Sequence, residues 1–342
     1  MAERFAAQML VDRPARDSLE VVRGLLAVQG QDARGARLAI RARSEGLTAA
    51  DVDRALTVDR SMLITWLNRG TLHLVAQEDY SWLQALTTPQ LLAGNARRLA
   101  QEGVPPDDAE RGVDVVIHAL GEFGPLDREA LRQRLDAARV RTEGQAIVHL
   151  LALASLRGLI VRGPMVGRRH AFVLVREWLS DPDPVDRDVA LAELARRYLA
   201  GHGPADDRDL AKWAGITLGM ARAALRSIES EIRERPDRLV ELRVRRPTAG
   251  LPPPLLLGAF DPVLLGWSSR AEIVGEHGSV VTSNGLFRPF ALVDGRAAGT
   301  WTVRGGAVAL QPFDTLAPGA AEALDEDARD VARFLAAPAG SD

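Results

Sequence analysis

The chain has 342 residues, 46% of them apolar and 26% charged, with a net charge of −3; this fits a globular protein of two or three compact units and argues against a sheath that coats nucleic acid non-specifically. The absence of cysteine excludes disulfides, thiolate metal sites and a cysteine nucleophile, and makes a reducing cytoplasm the simplest compartment. No apolar run is long enough to span a bilayer and no targeting segment is visible, so a cytoplasmic protein with no membrane partner is expected.

Asp17 and Glu20 stand as a capping box ahead of Leu19, Val22, Leu25 and Leu26 at helical spacing, which predicts a helix over 17–28 ended by Gly30. Gln29 and Gln31 then leave that helix one residue apart. On extended backbone two such amides point the same way and can hold one water between them; a polar loop facing solvent is the plain alternative. A helix around 48–56 and a strand-like Thr71–Val75 complete the N-terminal part.

An internal echo follows. Gly124-Pro125-Leu126-Asp127, with Leu131 seven places after its glycine, matches Gly203-Pro204-Ala205-Asp206 with Leu210. Each Gly-Pro is a turn from one apolar-periodic helix into a second, capped one. After the first echo come a helix over 145–154 and two strands, 159–162 and 171–175, joined by the hairpin-like 163–170. Three helices and then a hairpin is the winged-helix order. The second echo runs through the small-residue turn Ala211–Gly215 into a helix over 218–228, and the N-terminal part fits the same plan. Past Arg246 the break at Pro247, Gly250 and Pro252–Pro254 opens a region of short strands with Asn284-Gly285 and Asp294-Gly295 turns, closed by a helix near 318–336. The expected fold is therefore α+β: three tandem winged helix-turn-helix modules (1–104, 105–182 and 183–246) and a β-rich C-terminal region (247–342), forming a concave DNA-binding cleft.

Almost all the positive charge is arginine, Lys212 being the only lysine. Clusters stand at Arg41/Arg43, Arg97/Arg98, Arg168/Arg169 and Arg243/Arg245/Arg246, against an acidic Glu322–Asp327. A basic face would suit phosphate, since guanidinium is a planar fork of donors; otherwise each pair is a solvated edge. The six histidines are scattered without ligand spacing and no phosphate-binding loop is present, so neither a metal nor a cofactor is expected. Winged helices serve DNA binding and protein interaction alike.

Several stretches match a known family. Gln29-Gly30-Gln31, Arg69–Leu74, Phe260–Trp267, Asn284–Pro289 and Gly299-Thr300-Trp301 together resemble the winged-helix DNA glycosylases of the AlkZ-like type, known for resistance to azinomycin, a natural product that crosslinks DNA. The resemblance spans nearly the whole chain. It implies that Gln29 and Gln31 form the catalytic Gln-x-Gln motif, and that Arg69, Thr71 and His73 lie where they could support the site. The middle residue of the motif is usually aliphatic and is Gly30 here; a related branch carries Gln-x-Asp, for which Asp32 stands one place too late.

An all-amide site suits one class of lesion. An N7-alkylated purine already carries positive charge and leaves as a neutral base, so no general acid is needed, and preorganised amide dipoles suffice to place a water and stabilise an oxocarbenium-like transition state. Bulky adducts would need an open cleft in place of a snug base pocket. The expected function is that of a monomeric, monofunctional DNA glycosylase acting on double-stranded DNA with bulky or crosslinked N7-alkylpurines. It would leave an abasic site, in repair or in self-resistance to a genotoxic product. The alternative is a non-catalytic winged-helix DNA-binding protein such as a transcriptional regulator. Expected DNA contacts are Arg168 and Arg169 on the wing, Arg243, Arg245 and Arg246, and Arg270 and Arg288 further on.

Overall fold

One order of elements (helix, short strand, helix, helix, hairpin) occurs three times in the computed structural model, which describes residues 1–167, 169–179, 185–244, 250–283 and 285–336. After α1 (Ala2–Ala7), the first run is α2 (Ser18–Leu25), β1 (Val28–Gln29), α3 (Ala33–Arg41), α4 (Ala49–Thr57) and the hairpin of β2 (Met62–Leu67) and β3 (Thr71–Ala76). Helices α5 (Tyr80–Thr87) and α6 (Leu92–Gln101) precede the second run: α7 (Pro106–Phe123), β4 (Leu126–Asp127), α8 (Arg128–Ala137), α9 (Ala146–Leu156), β5 (Ile160–Val166) and β6 (Arg169–Leu174). The short α10 (Val175–Trp178) leads on to the third: α11 (Arg187–His202), a single antiparallel bridge from Ala205 to Val240, α12 (Asp207–Ala214), α13 (Leu218–Ser227), β7 (Ile232–Glu234) and β8 (Val240–Leu242). The remainder holds β9 (Leu255–Leu257), α14 (Ala271–Val274), β10 (Phe290–Val293), β11 (Arg296–Arg304), β12 (Ala307–Pro312) and α15 (Pro318–Leu335).

The chain divides into two compact units, one of residues 1–52, 191–213 and 217–342, the other of 53–190 and 214–216. In the second unit antiparallel strands follow the order β3-β2-β5-β6-β4. One face of this sheet presents Ile160, Phe172 and Leu174 to a core with Val113, Val116 and Leu120 of α7, Leu131 and Leu135 of α8 and Ile147, Leu150 and Leu151 of α9. Helix α9 has no exposed residue, as expected of a helix that is apolar on every side.

In the first unit, the four-stranded antiparallel sheet β12-β11-β10-β9 is turned at Asp294-Gly295, where φ is +50° and +75°, the left-handed pair that a tight hairpin needs. Buried Leu324, Val331 and Phe334 fix α15 to this unit. Among the described residues no helix is long and apolar enough to cross a membrane.

Two expectations need correction. The helix expected over 17–28 ends at Leu25, because Leu26 takes φ +64° and the chain is already extended at Val28–Gln29. A further helix, α3, follows; its Ala-Arg-Gly-Ala-Arg opening conceals an amphipathic pattern that rests on small residues. Nor are Arg41 and Arg43 part of a basic face or a solvated edge. Both are fully buried: Arg41 on Asp327 (2.9 and 3.0 Å) and Asp330 (3.0 Å), Arg43 on Asp261 (2.8 and 3.0 Å). The Asn284 half of the Asn284-Gly285 turn lies outside the described residues.

Candidate active site

The three runs differ where they pass from the short strand into the second helix. In the second, Asp127 ends β4 and itself caps α8, accepting from the Ala130 N–H at 2.8 Å. In the third, Asp206 directly follows the bridged Ala205 and accepts from the Asp209 N–H at 2.7 Å. In the first, the cap of α3 is Asp32, which accepts from the Gly35 N–H, and Gly30 and Gln31 stand between it and the end of β1. The Gln-x-Gln motif thus occupies a lengthened strand-to-helix turn that the sister runs lack. Gln29 is 7% exposed and Gln31 is open to solvent, so the two amides of the motif lie in different surroundings. Leu26, fully buried at φ +64°, introduces this turn; the second run uses Gly124 at φ +72° after its first helix. A left-handed leucine stores strain of about 1–3 kcal/mol, which surrounding packing must offset.

Residues 258–263 brace this turn from behind. A Cβ on Gly35 would lie 2.2 Å from the Ala259 carbonyl oxygen, and one on Gly258 would lie 2.9 Å from Leu38 Cβ and 3.1 Å from Gly35 Cα, so α3 meets the 258–259 backbone with no room for a side chain. At the other end of α3, Arg43 donates two bonds to Asp261 and two more to the Gln8 carbonyl and side-chain oxygens, each 2.9 Å. Asp261 also accepts from the Val263 N–H at 3.0 Å. A guanidinium this deep is tolerable only because every face of it is paired. The signal in the sequence was Gly35 inside a helix, which marks close packing, and Asp261 in the Phe260–Trp267 stretch.

In the second unit, Arg69, Thr71 and His73 do cluster: Arg69 and Thr71 are half-buried at the β2–β3 turn, and His73 is 3% exposed with Nδ1 2.9 Å from the Thr71 carbonyl. A carbonyl only accepts, so Nδ1 carries the hydrogen. Burial, helped by the charge of Arg69, pushes the His73 pKa down to about 3, so the ring is neutral and cannot donate a proton as an imidazolium. At the start of β6, Arg169 is exposed and pairs with Asp127 at 3.2 Å. Arg168, Arg245 and Arg246 lie outside the described residues. Arg243 is exposed and donates to the Ser230 carbonyl; Arg288 is exposed and Arg270 half-buried over the Phe287 ring.

Helices α9 and α13, each the third of its run, differ in exposure. Asn95 of α6 donates to the His149 carbonyl of α9 at 3.1 Å, and α9 leaves no exposed face for a groove. Helix α13 by contrast presents Arg222, paired with Asp207 at 2.7 Å, and Arg226 to solvent. Among the described residues no group of three or more His, Asp and Glu side chains is placed to hold a metal ion.

A sequence model of the family described as "DNA glycosylase AlkZ-like" matches residues 22–334, a span that includes the glutamine turn, α3 and its brace. The chain belongs to the AlkZ-like DNA glycosylase family. It is similar to the "Interstrand DNA cross-link repair glycosylase" of Streptomyces sahachiroi, with 28% identity over 97% of this chain and 94% of that protein. The solved structure of Streptomyces sahachiroi DNA glycosylase AlkZ matches with a TM-score of 0.76 and 25% identity over 97% and 95% of the two chains. The mixed helix and sheet architecture is that of AlkZ, and this AlkZ-like protein is a DNA glycosylase.

Proposed function

We propose that this AlkZ-like glycosylase is monofunctional and releases bulky or crosslinked N7-alkylpurines from double-stranded DNA, with Gln29 and Gln31 placing the attacking water. The observation that supports this reading is the lengthened turn between β1 and the cap of α3, which carries one buried and one solvent-exposed glutamine. The relative named for interstrand cross-link repair supports the same substrate class. The C1′–N9 bond breaks with its electron pair going to the cationic purine, which leaves neutral. The water oxygen then bonds to C1′ and gives up its proton to solvent through an amide oxygen. Amide carbonyls stabilise the oxocarbenium-like charge because their dipoles are already oriented. Each run of helix, strand, two helices and hairpin is read as one winged-helix module, dividing the chain at 1–104, 105–182, 183–246 and 247–342. The protein acts as a monomer in the cytoplasm.

Single-turnover release of N7-methylguanine from a defined duplex tests the assignment. Gln29→Ala and Gln31→Ala are each expected to lower the rate by about 10²-fold, the usual loss when one preorganised dipole is removed, with duplex affinity unchanged. Wild-type rates in both variants would show that other residues perform the chemistry.

A further inference from the structure

Phe260 is forced into an exposed role by the brace around it. Ala259 before it abuts Gly35, and Asp261 after it is locked onto Arg43. Between these fixed points Phe260 adopts φ +57°, a conformation that bulky residues avoid. Its ring stays half-exposed and meets the half-exposed ring of Phe287, with centroids 5.1 Å apart and planes inclined by 35°. The Arg270 guanidinium lies 4.9 Å from the centre of the Phe287 ring, and among the described residues no carboxylate pairs with it. Arg288, next in the chain after Phe287, is exposed. Two aromatic faces that water can reach, beside a half-buried cation lacking a counter-charge, ask for a ligand with both a planar ring and a negative charge. The cluster is joined through Ala259 and Gly35 to the first turn of α3, which begins directly after Gln31 and Asp32.

We propose that Phe260, Phe287 and Arg270 form a platform for one nucleotide displaced from the duplex stack, its base against the rings and its phosphate toward Arg270 and Arg288. Such an open platform takes an unstacked nucleotide without a closed base pocket. The inference rests on the reading that DNA is bound at the turn carrying Gln29 and Gln31.

The test uses the full-length protein with two duplexes, one fully paired and one carrying a single bulged 2-aminopurine nucleotide whose fluorescence falls when it stacks. The wild-type protein should bind the bulged duplex more tightly and quench it. Phe260→Leu, which keeps an apolar side chain of similar bulk on the same backbone, should lose about tenfold in affinity for the bulged duplex and none for the paired one. Phe260→Tyr should retain both the affinity and the quenching. Arg270→Met should weaken bulge binding and make it less dependent on salt by about one phosphate contact. No bulge preference in the wild type, equal losses on the two duplexes, or an indifferent Phe260→Leu would each overturn the platform. Release of N7-methylguanine by the same wild-type sample is read separately: its failure strikes the glycosylase substrate reading and leaves the bulge measurement standing.

Discussion

Adding one methyl group at Gly35 should separate how the glutamine turn is held from what it binds. In an ordinary helix Gly→Ala is stabilising by roughly 0.5–1 kcal/mol. Here the new Cβ would start 2.2 Å from the Ala259 carbonyl oxygen, whereas non-bonded atoms settle near about 3.5 Å. The obstacle is backbone, flanked by a strained Phe260 and an Asp261 locked on Arg43, so it cannot swing aside as a side chain would. The first turn of α3 must therefore move by about 1 Å, a shift of the size that costs about 10²-fold in rate when it misplaces reacting groups. Overpacking of roughly 1–3 kcal/mol exceeds the gain in helix propensity, so melting should fall by a few degrees where propensity alone predicts a rise. Base release under single-turnover conditions should drop about 10²-fold while duplex affinity holds. A Gly35→Ala protein that melts higher and releases base at the wild-type rate would refute both the close approach and its bearing on Gln31.

Asp261→Ala leaves Arg43 buried without its counter-charge and should cost about 3–5 kcal/mol in denaturant unfolding, while Arg43→Met with Asp261→Leu should recover most of it; a double variant as unstable as the single would mean that packing, not charge, is what Asp261 supplies. His73 has a pKa of about 3 when folded and about 6.5 when unfolded, so the unfolded chain takes up a proton first and stability falls as pH drops through that window. His73→Leu should flatten this acid limb between about pH 6 and pH 4 in thermal melts, and an unchanged limb would sink the assignment. Uracil in duplex DNA should be left in place, since the proposed site lacks an acid for a neutral leaving base. Strands should stay intact until alkali is added, because Lys212, the only lysine, is engaged with the Ser268 carbonyl at 2.8 Å; nicking before alkali would reveal a different nucleophile.

Local signals made much of this protein legible from its residues. The Asp17–Glu20 cap, the Gly-Pro echoes ahead of Asp127 and Asp206, and the Asp294-Gly295 turn each act through a few neighbouring bonds, and the structure holds all of them. The family followed from the glutamine motif together with the C-terminal stretches. What the chain order could not convey is which charges meet. Arg41 and Arg43 read as a basic pair, yet their carboxylates lie 286 and 218 residues away in sequence, and only folding of the C-terminal region back onto α3 buries them. At Gly35 the sequence shows only a missing side chain, and folding decides that the Ala259 backbone fills the space. The posture of the glutamine turn is therefore decided by tertiary contact, where a missing methyl group matters more than any residue present.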